Sequence, residues 1–201
     1  CLMGLLPFTV NDTRFPKTLT LNDFYFGAPG ETAPLGNLQM LGNIQEPMLR
    51  SAVPAMPRWV GRALTRHSVD WLVMSEDLPQ ADSTVRVRPD GSLQLNWHRS
   101  NQATHRRFVE RSKKLLRDIG FRAVLSRPFG LDVPSHQCGT VRMGADPATA
   151  PLDAWCRAYD HPNLYVVDAS FFPSSAALNP ALTVAAQALR VGRHLAERLH
   201  T

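Results

Sequence analysis

Ser135-His136-Gln137-Cys138-Gly139-Thr140-Val141-Arg142-Met143-Gly144, and after it Asn163-Leu164-Tyr165-Val166-Val167-Asp168-Ala169-Ser170 leading to Asn179-Pro180-Ala181-Leu182-Thr183, are the stretches around which the chain is organised. Leu164 to Val167 is a short apolar run without alternation, which predicts a strand buried on both faces of a layered sheet. Asp168 follows it directly. A carboxylate at the carboxyl end of such a strand sits where open α/β sheets place their ligands, and it could accept hydrogen bonds from ligand hydroxyls or cap a turn. Asn179-Pro180 predicts a helix start, since Asn caps well and Pro is pre-set for the first helical position. The helix should run through Leu182, Ala185, Ala186, Leu189, Leu195 and Leu199, with small alanines allowing close packing on a sheet or a flat ligand.

Working outward, His136 lies in a Gly-containing loop between Pro134 and Gly139-Thr140. Histidine is the side chain whose ordinary pKa permits proton transfer near neutrality, so it is a general-base candidate. Ahead of this unit the pattern changes. Phe121 to Leu125 predicts a strand, Pro128-Phe129-Gly130 punctuates, and a domain boundary is expected near 130. From Asn101 a helix should run to about Ile119 and stop at Gly120, with His105, Phe108, Val109, Ser112, Leu115, Leu116 and Ile119 on one face. Thr84 to Arg88 and Ser92 to Trp97 read as a hairpin across Pro89-Asp90-Gly91, and Val69 to Ser75 as a buried strand. Residues 1–58 are broken by Pro, Gly and Asn and are expected to be loop-rich, with a short strand over Thr18 to Phe26 and a helical turn or two within Leu35 to Leu49. Trp59, Trp71, Trp97 and Phe24 are expected in the core. Strand, hairpin, helix and strand in that order suggest a mostly antiparallel sheet with helical cover.

With 201 residues, 44% of them hydrophobic, the chain can build a real core. Residues 1–130 hold 17 Lys/Arg against 11 Asp/Glu, and 131–201 hold 5 against 6, so the two parts differ in character. The basic face of the 101–119 helix (Arg106, Arg107, Lys113, Lys114, Arg117) has no interleaved aromatics, and nucleic acid is not an expected partner. Cys1, Cys138 and Cys156 lack zinc spacing and are odd in number, which predicts free thiols, no metal site and a reducing, cytoplasmic setting. The apolar run Leu2 to Val10 is too short to cross a membrane, and no targeting signal precedes it.

His136-Gln137-Cys138-Gly139-Thr140 with Arg142-Met143-Gly144, then Asn163 to Ser170, Pro173 and Asn179 to Thr183, closely resembles the C-terminal signature of the glucose-methanol-choline (GMC) oxidoreductases. Order and spacing match over about 65 residues, most like the branch with pyranose oxidase and the gluconate and fructose dehydrogenase large subunits. The resemblance implies two parts. Residues 1–130 would be an antiparallel-sheet substrate-binding domain, and 131–201 the C-terminal strand-helix portion of a Rossmann-like FAD-binding domain.

It also implies an FAD enzyme oxidising the CH-OH group of an alcohol or sugar. His136 would be the base, and Asn179 would hold the substrate oxygen. Asp168 and the Ala169 backbone would meet the ribityl-pyrophosphate part of FAD, with Asn179, Pro180 and Thr183 against the flavin edge. One departure is large: Gly-x-Gly-x-x-Gly is absent from these 201 residues. With Cys1 as first residue, this leads to the expectation of a C-terminal fragment, inactive alone, whose N-terminal FAD-binding segment or chain is a missing partner. The alternative is a non-catalytic module of the same fold that binds a partner chain or small ligand.

Overall fold

The computed structural model describes residues 1–12, 19–31, 33–130 and 136–200. Thr18 of the expected first strand and Ser135 of the histidine stretch lie outside the described residues. The chain forms two compact units, Cys1–Ser75 with Gln102–Val133 and Glu76–Asn101 with Pro134–Thr201. A division at 130 alone differs from this: the segment with the hairpin packs with the C-terminal stretch, although it precedes the long helix in sequence.

The first unit is built on a five-stranded sheet ordered β2-β3-β4-β1-β7, with β1 Leu2–Leu5, β2 Thr20–Leu21, β3 Asn37–Gly42, β4 Ser68–Met74 and β7 Ala123–Ser126. Its neighbouring strands pair antiparallel. β1 is inserted between β4 and β7, with Leu2 opposite both Trp71 and Ser126. The apolar start of the chain is thus an inner strand: four residues are enough when both neighbours supply hydrogen bonds. Within Leu35 to Leu49 the expected helical turn is found at the end, where helix α1, Glu46–Ala52, begins, while the earlier part is the strand β3, which the sequence reading did not include. Its side chains do not alternate cleanly because a register shift between Met40 and Gly42 bulges the strand. Helix α2, Arg58–Arg66, follows Pro57 and has no counterpart in the sequence reading.

Helix α3, Gln102–Asp118, covers the sheet. Phe108, Ser112 and Leu116 are buried, and Phe108 and Leu116 join Leu2, Leu35, Leu38, Trp71 and Val73 in one core. Gly120 takes φ +112° and the Phe121 N–H returns to the Leu116 carbonyl at 3.0 Å, the chain-reversing cap that only glycine adopts cheaply. Ile119, expected inward, is 61% exposed, because the cap turns the chain away before its side chain can reach the sheet. Phe24 packs on Phe108 with ring centres 5.5 Å apart, and Trp71 is buried. Trp59 and Trp97 are not in the core: Trp59 is mostly exposed on α2, and Trp97 carries the Arg99 guanidinium 5.2 Å over its ring.

Two buried polar groups tie loops to this sheet. Asn37 Nδ2 donates to Thr20 Oγ1 and Asn22 Oδ1, both at 2.6 Å. Asp70 Oδ2 accepts from the Ile44 N–H at 2.7 Å. On α3, Arg107 and Arg111 are engaged by the buried Glu31 at 2.5 and 3.1 Å. They also donate to the Gly30 and Pro29 carbonyls. Part of the basic face therefore holds a loop.

In the second unit the hairpin pairs β5, Thr84–Val87, with β6, Leu93–Asn96, around Gly91 at φ +81°. It makes its own two-stranded sheet and does not join the larger one. The expected strand at Leu164 to Val167 is corrected: its backbone bonds to 156–158, through Val166 N–H to Cys156 O and Ala158 N–H to Leu164 O, both 2.9 Å. Only a single bridge, Arg157 to Tyr165, results. A strand buried on both faces needs parallel neighbours on either side, and the described residues supply none here. Helix α4, Ala181–Leu199, packs through Val191 and Leu195 onto Leu152, Cys156, Ala158 and Phe171. Leu182 and Leu189 are 83% and 78% exposed, since they occupy the side opposite Val191, and Leu199, in the last turn, is 83% exposed.

Candidate functional site

The loop after His136 is laid along the segment after Asp168. Val141 N–H donates to Ser170 O at 3.1 Å and Met143 N–H to Phe171 O at 2.9 Å. Gly139 sits at φ +80°, the left-handed backbone that glycine adopts without strain, and a Cβ there would make only an ordinary contact, 3.5 Å from the Phe172 carbonyl oxygen. Below these bonds, Met143 and Val141 pack on the Phe171 cluster. Met143 is thus a packing residue, and Arg142 reaches the Thr149 carbonyl at 3.5 Å.

His136 is half-buried and holds φ +65°, a left-handed backbone that non-glycine residues seldom take. Asp168 is exposed. Its Oδ1 accepts from Ser170 N–H at 2.8 Å and Ser170 Oγ at 2.5 Å, starting a short 3-10 turn at Ala169–Phe171. The Ser170 side chain and then its N–H hold the Asp168 carboxyl below the usual range. The aspartate is therefore a capping residue and an ionised acceptor together. Both bonds fall on Oδ1, which leaves Oδ2 to accept from a hydroxyl.

Asn179 is exposed, two residues ahead of α4. The expected cap shifts by one residue: the cap position is Pro180, already in helical dihedrals, and no side-chain cap bond forms. The Pro180 carbonyl takes the first helical bond, from Val184 N–H at 3.0 Å. The N–H groups of Ala181, Leu182 and Thr183 have no intrahelical acceptor, and the positive end of the helix dipole lies there. The exposed first-turn N–H groups are donors, and Asp168 Oδ2 an acceptor, of the kind that a polyhydroxylated, anionic ligand uses.

Around these residues stands a polar cluster that sequence reasoning missed. Asp77 and Ser175 exchange backbone hydrogen bonds at 3.0 and 2.9 Å. Ser174 Oγ donates to Glu76 Oε1 at 2.7 Å, and Asn101 Nδ2 to the Glu76 carbonyl at 2.8 Å. Ser174-Ser175 stood in the quoted stretch, but nothing local linked it to residues about a hundred positions earlier. Cys138 belongs here too. Burial pushes its thiol up, a hydrogen bond with the Ser175 side chain lowers it, and the Asp77 charge raises it. All three cysteines are free thiols. Among the described residues no group of three or more His, Cys, Asp or Glu could hold a metal ion, and no helix is long and apolar enough to cross a membrane. A cavity of about 470 Å³ lies along α4 beside Trp155, Arg190 and His194, and none of the predicted site residues lines it.

Residues 79–188 match the family model described as GMC oxidoreductase. Over 95 residues, 47% of this chain, it is 44% identical to 6'''-hydroxyparomomycin C oxidase of Streptomyces lividus, covering 17% of that protein. Over 139 residues, 64% of this chain, it is 38% identical to the fructose dehydrogenase large subunit of Gluconobacter japonicus, covering 25% of it. The chain thus spans a quarter or less of these relatives. Among solved structures, pyridoxine 4-oxidase from Mesorbium loti superposes with a TM-score of 0.60 at 19% identity, over 96% of this chain and 42% of that one. That likeness is one of fold: mixed α/β with antiparallel sheets.

Proposed function

The chain belongs to the GMC oxidoreductase family, and on that premise we propose that it is the C-terminal part of an FAD-dependent enzyme oxidising the CH-OH group of an alcohol or sugar. The observation that carries the reading is the pair of backbone bonds holding the His136 loop along the Asp168–Ser175 segment, in the same compact unit as the start of α4. His136 takes the hydroxyl proton, and its half-buried setting limits competition from water. Asn179 holds the substrate oxygen and orients the carbon that is oxidised. Asp168 Oδ2 and the Ala169 backbone would hold the ribityl-pyrophosphate region of FAD, and Asn179, Pro180 and Thr183 would meet the flavin edge. A bound flavin supplies the two-electron acceptor that such an oxidation requires. Charge developing beside α4 is stabilised by its first-turn N–H groups.

The ADP half of FAD has no glycine-rich turn here, so a flavin-binding segment or second chain completes the enzyme. Two observations support this: the small share of each relative that the chain spans, and the exposed Leu182, Leu189 and Leu199 on α4. The missing fingerprint equally favours, for this polypeptide alone, a non-catalytic module that binds a partner chain or small ligand.

The test is the flavin absorbance of the chain co-expressed with the polypeptide encoded immediately upstream, against the chain expressed alone. Yellow protein on co-expression, bleached anaerobically by an alcohol and bleached more slowly in His136→Ala, is the expected result. A stably folded chain that holds no flavin in either preparation replaces the enzyme reading by the binding module.

A further inference from the structure

We propose that Asp77 and Ser175 are positioning residues that fix the His136 loop against the segment leading to Asn179, an inference that rests on the roles given above to His136 and Asn179. Asp77 and Ser175 are joined by two backbone hydrogen bonds at 3.0 and 2.9 Å, an isolated antiparallel bridge between segments far apart in sequence. From this bridge side chains reach in two directions. The Ser175 side chain lies close enough to Cys138, two residues after His136, to influence its thiol. The Asp77 carboxylate accepts from the Ser100 hydroxyl, whose oxygen accepts in turn from Leu78 N–H at 2.9 Å.

The neighbouring pair repeats the arrangement. Glu76 Oε1 accepts from Ser174 Oγ at 2.7 Å, and its carbonyl accepts from Asn101 Nδ2 at 2.8 Å. Residues 76–78 are therefore clamped between 100–101 and 174–175. Asp77, Ser100, Cys138, Ser174 and Ser175 are all half-buried; the Ser100–Asp77 bond is partly shielded from water, whereas the bonds of Glu76 to Ser174 and Asn101 lie at the surface.

The geometry at His136 shows why such a clamp matters. A non-glycine residue at φ +65° persists only where its surroundings determine the backbone. Downstream, the loop is held by Val141 and Met143 on Ser170 and Phe171. Cys138 to Ser175 is the attachment nearest the histidine. Ser175 also stands four residues before Asn179, so one residue touches the loop of the proton acceptor and begins the approach to the oxygen-holding group.

The experiment uses the full chain and two readouts that need no flavin. One is the rate at which iodoacetamide alkylates Cys138, resolved from Cys156 by peptide mass spectrometry. The other is the His136 ring resonance, assigned with His136→Gln. In Asp77→Asn a like charge near the thiol is removed, and Cys138 alkylation at pH 8 rises about threefold. In Ser175→Ala the thiolate loses its hydrogen-bond partner, and alkylation slows about threefold. In both variants the His136 resonance moves while the Cys156 rate stays constant.

Unchanged Cys138 and His136 signals in both variants overturn the proposal. So does an equal change at Cys138 and Cys156, which marks general loosening. Should Asp77→Asn not fold, Ser100→Ala releases the same carboxylate and leaves the bridge intact; a shifted His136 resonance supports positioning, and a fixed one refutes it. In the flavin-loaded enzyme, kcat falls about tenfold or more with KM unchanged. A chain that never binds flavin sinks the functional reading but leaves the thiol and resonance tests standing.

Discussion

Asp70→Asn isolates the energetic consequence of a carboxyl buried in the middle of a sheet. Asp70 is fully buried on β4, its Oδ2 accepting from Ile44 N–H at 2.7 Å and its Oδ1 without a partner. Burial raises its pKa from 3.8 to about 6, against the opposing effect of the Ile44 hydrogen bond. The folded state therefore binds the proton more tightly than the unfolded chain does. Stability from this group is fully present below about pH 4, is lost as pH rises through about 6, and is constant above. The difference corresponds to about 2–3 kcal/mol at neutral pH. Asparagine has the shape of the protonated carboxyl and keeps the acceptor for Ile44.

The assay is urea denaturation of both proteins at pH 4.5, 5.5, 6.5 and 7.5. Carboxylates common to the two cancel in the difference. The variant should exceed the parent by about 2–3 kcal/mol at pH 7.5, with the margin shrinking toward pH 4.5. A difference that stays constant over this range would falsify the assignment of the titration to Asp70.

Four further outcomes follow from single contacts. Gly36→Ala should destabilise the first unit by about 2–3 kcal/mol or more in thermal melts, because Gly36 sits at φ +144° and a Cβ would stand 2.0 Å from the Met74 carbonyl oxygen. Phe108→Ala should cost about 3–5 kcal/mol, read by the same melts, since its ring is fully buried between α3 and the sheet. Asp168→Ala should cost about 1 kcal/mol through loss of the Ser170 cap, and should also weaken flavin retention in the co-expressed enzyme, measured by the 450 nm band after dialysis. His136→Ala should slow anaerobic bleaching by about 10²–10⁴-fold, whereas Asn179→Ala should impair both binding and rate.

Much of the first unit was legible because local rules and tertiary needs agreed there. The α3 pattern with its glycine stop and the β4 run each carry a signal within ten or twenty residues, as does the Pro-Asp-Gly hairpin of the second unit. β1 and β3 were not legible. Leu2 to Leu5 becomes a strand only because β4 and β7 flank it, and the bulge at Met40 to Gly42 hides the alternation of β3. Leu164 to Val167 failed in the opposite sense: an apolar run has the composition of an inner strand whether or not parallel neighbours are there to receive it.

For the candidate site, the motifs carried the resemblance to the family, and that resemblance, not residue spacing alone, marked His136, Asp168 and Asn179 as candidates. Only the tertiary structure decided that residues 76–101 join the C-terminal unit, that Asp168 spends one oxygen on Ser170, and that Asp77 and Ser175 meet. A motif records side chains whose chemistry must be present. The hydrogen bonds that hold those side chains are backbone and serine contacts across about a hundred residues, which any sequence can make and no spacing reveals until the chain has folded.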